Sequence, residues 1–286
     1  MAEVLEDWLK RKFPQAKRAT LREMLREGRV VLRGKPLRRL DAQIEKTDAV
    51  EVRSREPVRL PNVRPLEIVF EDAHLIVVYK PAGLLTSTVP HEKRATALAI
   101  LEKYMAVKDR RAKVGLIHRL DRDASGLLVF SKSHEAFAEL KEQFFQHTVA
   151  RVYAAVTQGV PTPASGRIES MLVELPDGSV RTSHRPGGGQ KAITDYQTIA
   201  RGKGIALVRV TLQTGRKHQI RAHMQQRGVP IVGDPIYGDE FQPGARLMLA
   251  AVELGFDHPI SGKKVEFKIP VPKDFPIGGG EELKAE

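Results

Sequence analysis

The segment Gly115-Leu-Ile-His118-Arg119-Leu120-Asp121-Arg122-Asp123-Ala124-Ser125-Gly126-Leu-Leu-Val-Phe130 sets five ionisable groups between two apolar runs. Short apolar runs of this kind read as buried strands, and a polar loop pinned between them is where reactive side chains tend to be held. Asp121 stands among Arg119, Arg122 and Asp123, neighbours that act on its charge. Asp121 and Asp123 also have the residue types of the acid and nucleophile of a glycoside or nucleoside hydrolase. The plain alternative is a surface turn in which Asp-x-x-Ser-Gly makes backbone hydrogen bonds.

Two further segments could carry chemistry. Thr214-Gly-Arg216-Lys217-His218-Gln219-Ile220-Arg221-Ala222-His223-Met224 starts as a loop and runs into a helix on which Ile220 and Met224 share a face. His218 and His223 are five apart and lack the intervening glutamate of a zinc-protease motif, so no metal site is expected. Lys80-Pro81-Ala82-Gly83 closes a strand and has the composition of an ordinary turn. Gly187-Gly188-Gly189 lacks the Gly-Lys-Ser/Thr of a phosphate loop and reads as a flexible hairpin tip.

The chain around these segments is strongly basic. Its 286 residues carry a formal charge of +12, and residues 1–60 hold sixteen Lys or Arg against ten Asp or Glu, half of that excess. A polyanion would gain from it through phosphate contacts and counterion release. Zero cysteines exclude disulfides and thiolate chemistry. No apolar run approaches the roughly 20 residues of a membrane span, and the charged stretch from Met1 to Lys12 is not a secretory signal. A cytoplasmic location is expected.

Residues 1–55 read as one small unit. Val4, Leu5, Trp8 and Leu9 recur at helical spacing, and Thr20-Leu-Arg-Glu23 fits a capping box at the start of a second helix carrying Leu21, Met24 and Leu25. Gly28 suits its stop. Strands follow at Val30–Leu32 and Ala49–Val52 around the turn Arg33-Gly-Lys35-Pro36. Residues 56–65, with three prolines in the neighbourhood, have a linker composition. From Leu66 to about residue 275, strand-like runs at 66–70, 75–79, 126–130, 152–156, 206–212 and 265–269 outnumber helices at 95–104 and 135–145, without regular βαβ alternation. This predicts a mixed α+β fold, mainly an antiparallel sheet with flanking helices. Residues 276–286, which include Gly278-Gly-Gly280, read as a flexible tail.

The ordered set Lys80-Pro-Ala-Gly83, His118-Arg-Leu-Asp121-Arg-Asp-x-Ser-Gly-Leu-Leu-Val129, Arg151-Val-Tyr153, Gly215 to Met224, Gly233-Asp-Pro-x-Tyr-Gly238 and Arg246-Leu-Met-Leu249 resembles the RluA/RluD-type pseudouridine synthases over about Leu66 to Pro272. Arg18 to Pro36 resembles the S4 RNA-binding domain, an accessory that family often carries. The resemblance implies an isomerase acting on structured RNA, chiefly ribosomal or transfer RNA, with no cofactor and no metal, working as a monomer. It breaks the C1′–N1 bond of uridine, turns the uracil and forms a C5–C1′ bond.

It also implies roles. Asp121 is the essential carboxylate, as nucleophile or base; Tyr153 stacks on the uracil; Arg221 pairs with Asp121. Arg119 fills the gap left by the flipped base. RNA contacts fall to His118, Arg122, Lys80, Arg216, His218 and Gln219, and in the S4-like part to Arg18, Arg22, Arg26, Lys35, Arg38 and Arg39. The chain departs from the family at Ala250, at Ala124 and in the loop 84–89, none of which touches the proposed trio. The competing reading is a non-catalytic S4-type RNA-binding or ribosome-assembly factor.

Overall fold

A computed structural model describes residues 2–26, 28–45, 47–53, 63–88, 94–109, 112–183, 188–238, 246–281 and 283. The chain divides into two compact units, Met1–Arg59 and Leu60–Glu286. Most of the stretch expected to be a linker, 56–65, lies outside the described residues, which omit 54–62.

In the first unit β1 (Ala2–Val4) leads into α1 (Leu5–Lys12) and α2 (Arg18–Arg26). A small sheet then forms in which β2 (Val30–Leu32) lies between β3 (Lys35–Pro36) and β5 (Val50–Val52), while β4 (Gln43–Glu45) pairs with β1. Leu5, Leu9, Leu21, Leu25, Val30 and Ile44 form its core. Gly28 closes α2: its left-handed φ of 70° lets its own N–H reach Leu25 O and the Arg29 N–H reach Met24 O, both at 3.0 Å. The expected capping box is not the helix start. Thr20 lies inside α2, which begins at Arg18, because Leu21 already bonds back to Lys17 O.

The second unit is built on one sheet of eleven strands. In chain order they are β6 (Glu67–Glu71), β7 (Leu75–Lys80), β8 (Gly115–Leu116), β9 (Ser125–Ser131), β10 (Ala150–Gln158), β11 (Ser165–Glu174), β12 (Val180–Ser183), β13 (Gln190–Arg201), β14 (Ile205–Leu212), β15 (Leu249–Asp257) and β16 (Lys264–Lys268). Their order across the sheet is β12-β11-β13-β14-β10-β15-β9-β7-β6, with β16 beside β15 and β8 beside β9. Every pairing is antiparallel except β9 with β15. The fold is the mixed α+β, mainly antiparallel architecture expected from the strand-rich pattern.

Three helices flank the sheet: α3 (Ala97–Lys108), α4 (His134–Phe145) and α5 (Gln219–Gln226). Thr96 and Ser133 cap α3 and α4 by accepting from the N–H of Ala99 and Ala136. Alternation along β7 and β9 sends Ile76, Val78, Leu128 and Phe130 to one face and Leu75, Val77, Leu127 and Val129 to the other. Both faces are covered, so these strands are apolar throughout, and each large side chain so buried contributes roughly 1.5–3 kcal/mol.

Two expectations are corrected. Gly188 and Gly189 are not a hairpin tip, because β12 and β13 lie on opposite sides of β11; the hairpin turn is at Asp177–Gly178 (Gly187 lies outside the described residues). The chain beyond 276 is not loose along its length either: Glu281 O and the Gly280 N–H both bond to Val271, and Ile277 packs against the core.

Candidate active site

The loop carrying Asp121 joins β8 to β9 and is tied down on both sides of that residue. Thr86 donates its hydroxyl to Leu120 O at 2.9 Å, and the Gly83 N–H reaches Arg122 O at 2.9 Å. The Lys80 ammonium, wholly buried, donates to four carbonyls: Pro81 and Arg122 at 3.0 Å, Leu84 and Ala124 at 2.7 Å. Gly126 then lets β9 approach β15 where the two run parallel. A side chain there would sit 2.2 Å from Ala251 O, and its φ is 119°. The loop thus has fixed anchors at residues 120, 122, 124 and 126, and Asp121 projects into a pocket of about 470 Å³.

Arg221, on α5, reaches across 100 residues to Asp121, with Nη1 3.2 Å from Oδ2. The same guanidinium grips Asp234 through Nε and Nη2, both at 2.8 Å. Asp234 is itself oriented, its Oδ1 accepting from the N–H groups of Ile236 and Tyr237. Burial works against the Arg221 charge, but its bonds to Asp234 and the nearby Asp121 outweigh this and hold its pKa above the ordinary value.

His218 sits at the start of α5 in the left-handed region, φ 52°, a conformation that costs a non-glycine residue energy. Its Nδ1 lies 3.0 Å from the Tyr237 hydroxyl, which already accepts from the Val180 N–H. Its Nε2 lies 4.0 Å from Asp121 Oδ2. Burial lowers the His218 pKa against the pull of Asp121.

Tyr153, on β10, lines the same pocket and is 8% exposed. Burial pushes its hydroxyl up to about 12. Arg119 and Arg216 also line the pocket, while Arg122 turns to Asp123, with contacts of 2.8 and 3.0 Å. Asp121, Tyr153, Arg221, His218, Arg119 and Arg216 all line this one pocket.

Three residues expected to touch substrate have other work. Lys80 has no exposed surface, and its carbonyl cage makes it a clamp on the loop; burial lowers its pKa to about 8. Gln219 is 2% exposed, and its amide is spent inside the protein. Its oxygen accepts from Thr214 and Arg216, and its nitrogen donates to Ile193 and Thr194. His118 borders the pocket, but its ring stacks on Phe144 at 4.5 Å and its Nε2 accepts from the Val129 N–H. Burial, with Arg151 and Lys141 nearby, pushes its pKa down to about 3, so it is a neutral structural ring.

Sequence reasoning missed Asp234, Tyr237 and Thr86 as parts of the site. Gly233-Asp-Pro-x-Tyr-Gly238 was visible as a motif, but its contact with Arg221 depends on the fold. Thr86 lies in the loop that departs from the family pattern and gave no signal.

Residues 74–226 match the family model for RNA pseudouridylate synthase. The chain is 34% identical to ribosomal large subunit pseudouridine synthase D of Neisseria meningitidis serogroup A, over 95% of this chain and 76% of that one. It is 33% identical to RNA pseudouridine synthase 2, chloroplastic, of Oryza sativa, over 90% and 74%. The chain belongs to the RNA pseudouridine synthase family. It is an isomerase acting on RNA, not a non-catalytic binding factor. The fold agrees: human RNA pseudouridylate synthase domain containing 4 superposes with a TM-score of 0.62 at 24% identity, over 73% of this chain and 89% of that one.

In the synthase's first unit, Arg18, Arg22, Arg26, Arg38 and Arg39 surround a hollow of about 640 Å³. Arg18 pairs with Glu6 at 2.9 Å, Arg26 with Glu23 at 3.5 Å and Arg39 with Asp41 at 2.6 Å. Lys35 is exposed on β3. Among the described residues no His, Cys, Asp or Glu cluster suits a metal ion, and no helix is long and apolar enough to cross a membrane.

Proposed function

We propose that the synthase converts uridine to pseudouridine in structured RNA, with large-subunit ribosomal RNA as substrate, and that Asp121 is its essential carboxylate. The observation that carries this reading is the placement of Asp121. Its loop is pinned at residues 120, 122 and 124, its carboxylate faces the pocket, and Arg221 holds it at 3.2 Å. The relatives named for the ribosomal large subunit support the choice of RNA.

A uridine must leave its stack to reach a carboxylate in such a pocket. Tyr153 offers the uracil a face, worth on the order of 1–3 kcal/mol, and Arg119 fills the space the base leaves. Asp121 then acts on the sugar as nucleophile or base while the C1′–N1 bond breaks and the C5–C1′ bond forms. Residues 1–55 serve as an S4-type RNA-binding domain, with the arginines around their hollow meeting phosphates. The enzyme works as a monomer, and a ribosomal substrate fits a cytoplasmic location.

Carbodiimide mapping of ribosomal RNA from a deletion strain tests the reading. At least one pseudouridine is expected to disappear, to return with the wild-type chain and to stay absent with Asp121→Asn, whose RNA binding persists. Unchanged maps, together with no product on purified ribosomal RNA, would sink it.

A further inference from the structure

The pocket also holds a cation that the residues assigned to the reaction leave unused. Arg151 lies two positions before Tyr153 on β10, so both side chains point to the same side of the sheet. It lines the pocket, is 7% exposed, and its Nε and Nη2 have no hydrogen-bond partner. No carboxylate pairs with it among the described residues. Its guanidinium rests 5.7 Å from the centre of the Phe144 ring, and Arg216 adds positive charge nearby.

Burying a guanidinium with unmet N–H groups works against folding. Such a group is expected where a ligand supplies the missing acceptors, and the planar fork of arginine matches two phosphate oxygens. The backbone keeps room for it. A side chain at Gly215 would lie 2.4 Å from Arg151 Nη1, so the glycine lets the guanidinium settle against the loop before α5.

We propose that Arg151 is a phosphate anchor, its guanidinium meeting a phosphodiester next to the uridine held at Tyr153. The proposal rests on reading this pocket as the synthase's RNA site. Shared placement on one face of β10 then fixes the uracil and the backbone beside it with a single rigid strand.

Binding of a fluorescent uridine decamer to the full chain, followed by anisotropy over a range of KCl, reads the anchor without needing turnover. Arg151→Gln is expected to weaken binding about tenfold and to lower the slope of log K against log salt by about 0.7, the loss of one single-strand contact. Arg151→Lys should restore the slope, since it keeps the charge while losing the fork. The thermal midpoint of Arg151→Gln should equal or exceed that of the wild type, because an unsatisfied buried charge has been removed.

An unchanged salt slope, a wild-type chain that does not bind the decamer, or a fall in midpoint with no change of slope overturns the anchor and leaves Arg151 a packing residue. The synthase reading fails separately. A wild type that binds with an Arg151-dependent slope yet forms no pseudouridine in ribosomal RNA removes the enzymatic function and leaves the anchor in place.

Discussion

The Arg221 guanidinium joins two carboxylates, Asp121, 100 residues away in sequence, at 3.2 Å and Asp234, 13 residues away, at 2.8 Å through two bonds. Asp234 is the closer and fully buried partner, so it fixes the guanidinium that Asp121 meets.

Asp234→Asn should therefore act on stability and rate together. Removing one partner of a buried pair costs about 3–5 kcal/mol because a charge is left uncompensated. Denaturant unfolding should show a loss of that order, and turnover of RNA should fall with it. Arg221→Lys should be as harmful, since a point charge cannot grip Asp234 bidentately and still reach Asp121. Wild-type stability in both variants would mean that Asp234 does not hold the site.

Tyr153 can be divided into ring and hydroxyl. Tyr153→Phe keeps the stacking face and should leave RNA affinity within about threefold, whereas Tyr153→Leu should weaken it by about 1–3 kcal/mol. If the hydroxyl, protonated throughout the neutral range with its pKa near 12, moves a proton in the reaction, Tyr153→Phe slows conversion by about 10²-fold or more. Single-turnover rates on ribosomal RNA separate the cases. Equal affinity of the Phe and Leu variants would remove the stacking role.

The arginines of the first unit should set the salt dependence of RNA binding. Arg22→Glu and Arg38→Glu, at exposed positions beside the same hollow, should each lower the slope of log K against log salt by about 0.7–0.9. Neither should shift the thermal midpoint by more than the amount usual for surface changes. Slopes equal to the wild type's would mean that this face does not meet phosphate.

Acid should destabilise the protein through two buried histidines. Burial pushes His118 to about 3 and His223, bonded to Ser170 and Thr194, to about 4. Between those values and the unfolded value near 6.5, the unfolded chain binds more protons, so stability rises with pH. The contribution is complete above the unfolded value and is lost as pH falls toward the folded ones, about 2 kcal/mol for each histidine at pH 5. Imidazole nitrogen shifts should stay in the neutral form at pH 5; titration near 6.5 would show that the rings are not held this way.

Much of the site was legible because its residues are continuous in sequence. His118-Arg-Leu-Asp121 lies between Gly115–Leu116 and Gly126–Phe130, and buried strands of that kind are apolar on both faces and easily seen. The strands β11, β12 and β13 were not read. Ser165–Glu174 and Gln190–Arg201 alternate buried and exposed positions, but buried Ser170 and Thr194 are polar and satisfied by His223, which hides the pattern. Helix α5 was legible as a helix, but not the burial of its polar residues: Gln219 to Met224 are all buried, with Gln219, Arg221 and His223 each bonded internally.

The sequence by itself determined the chemistry available to this protein: the carboxylate at Asp121, the aromatic ring at Tyr153, the guanidinium at Arg221 and the basic surplus of the first 60 residues. Tertiary structure decided which polar residues face the substrate. Lys80 and Gln219 carry the same donors and acceptors whether they grip backbone or RNA, and only the carbonyls and hydroxyls that surround them assign them to the scaffold. Arg151 lines the pocket without such partners for its Nε and Nη2, both buried and unmatched. A hydrogen bond depends on groups brought within about 3 Å, and for residues 100 positions apart only the folded chain supplies that distance.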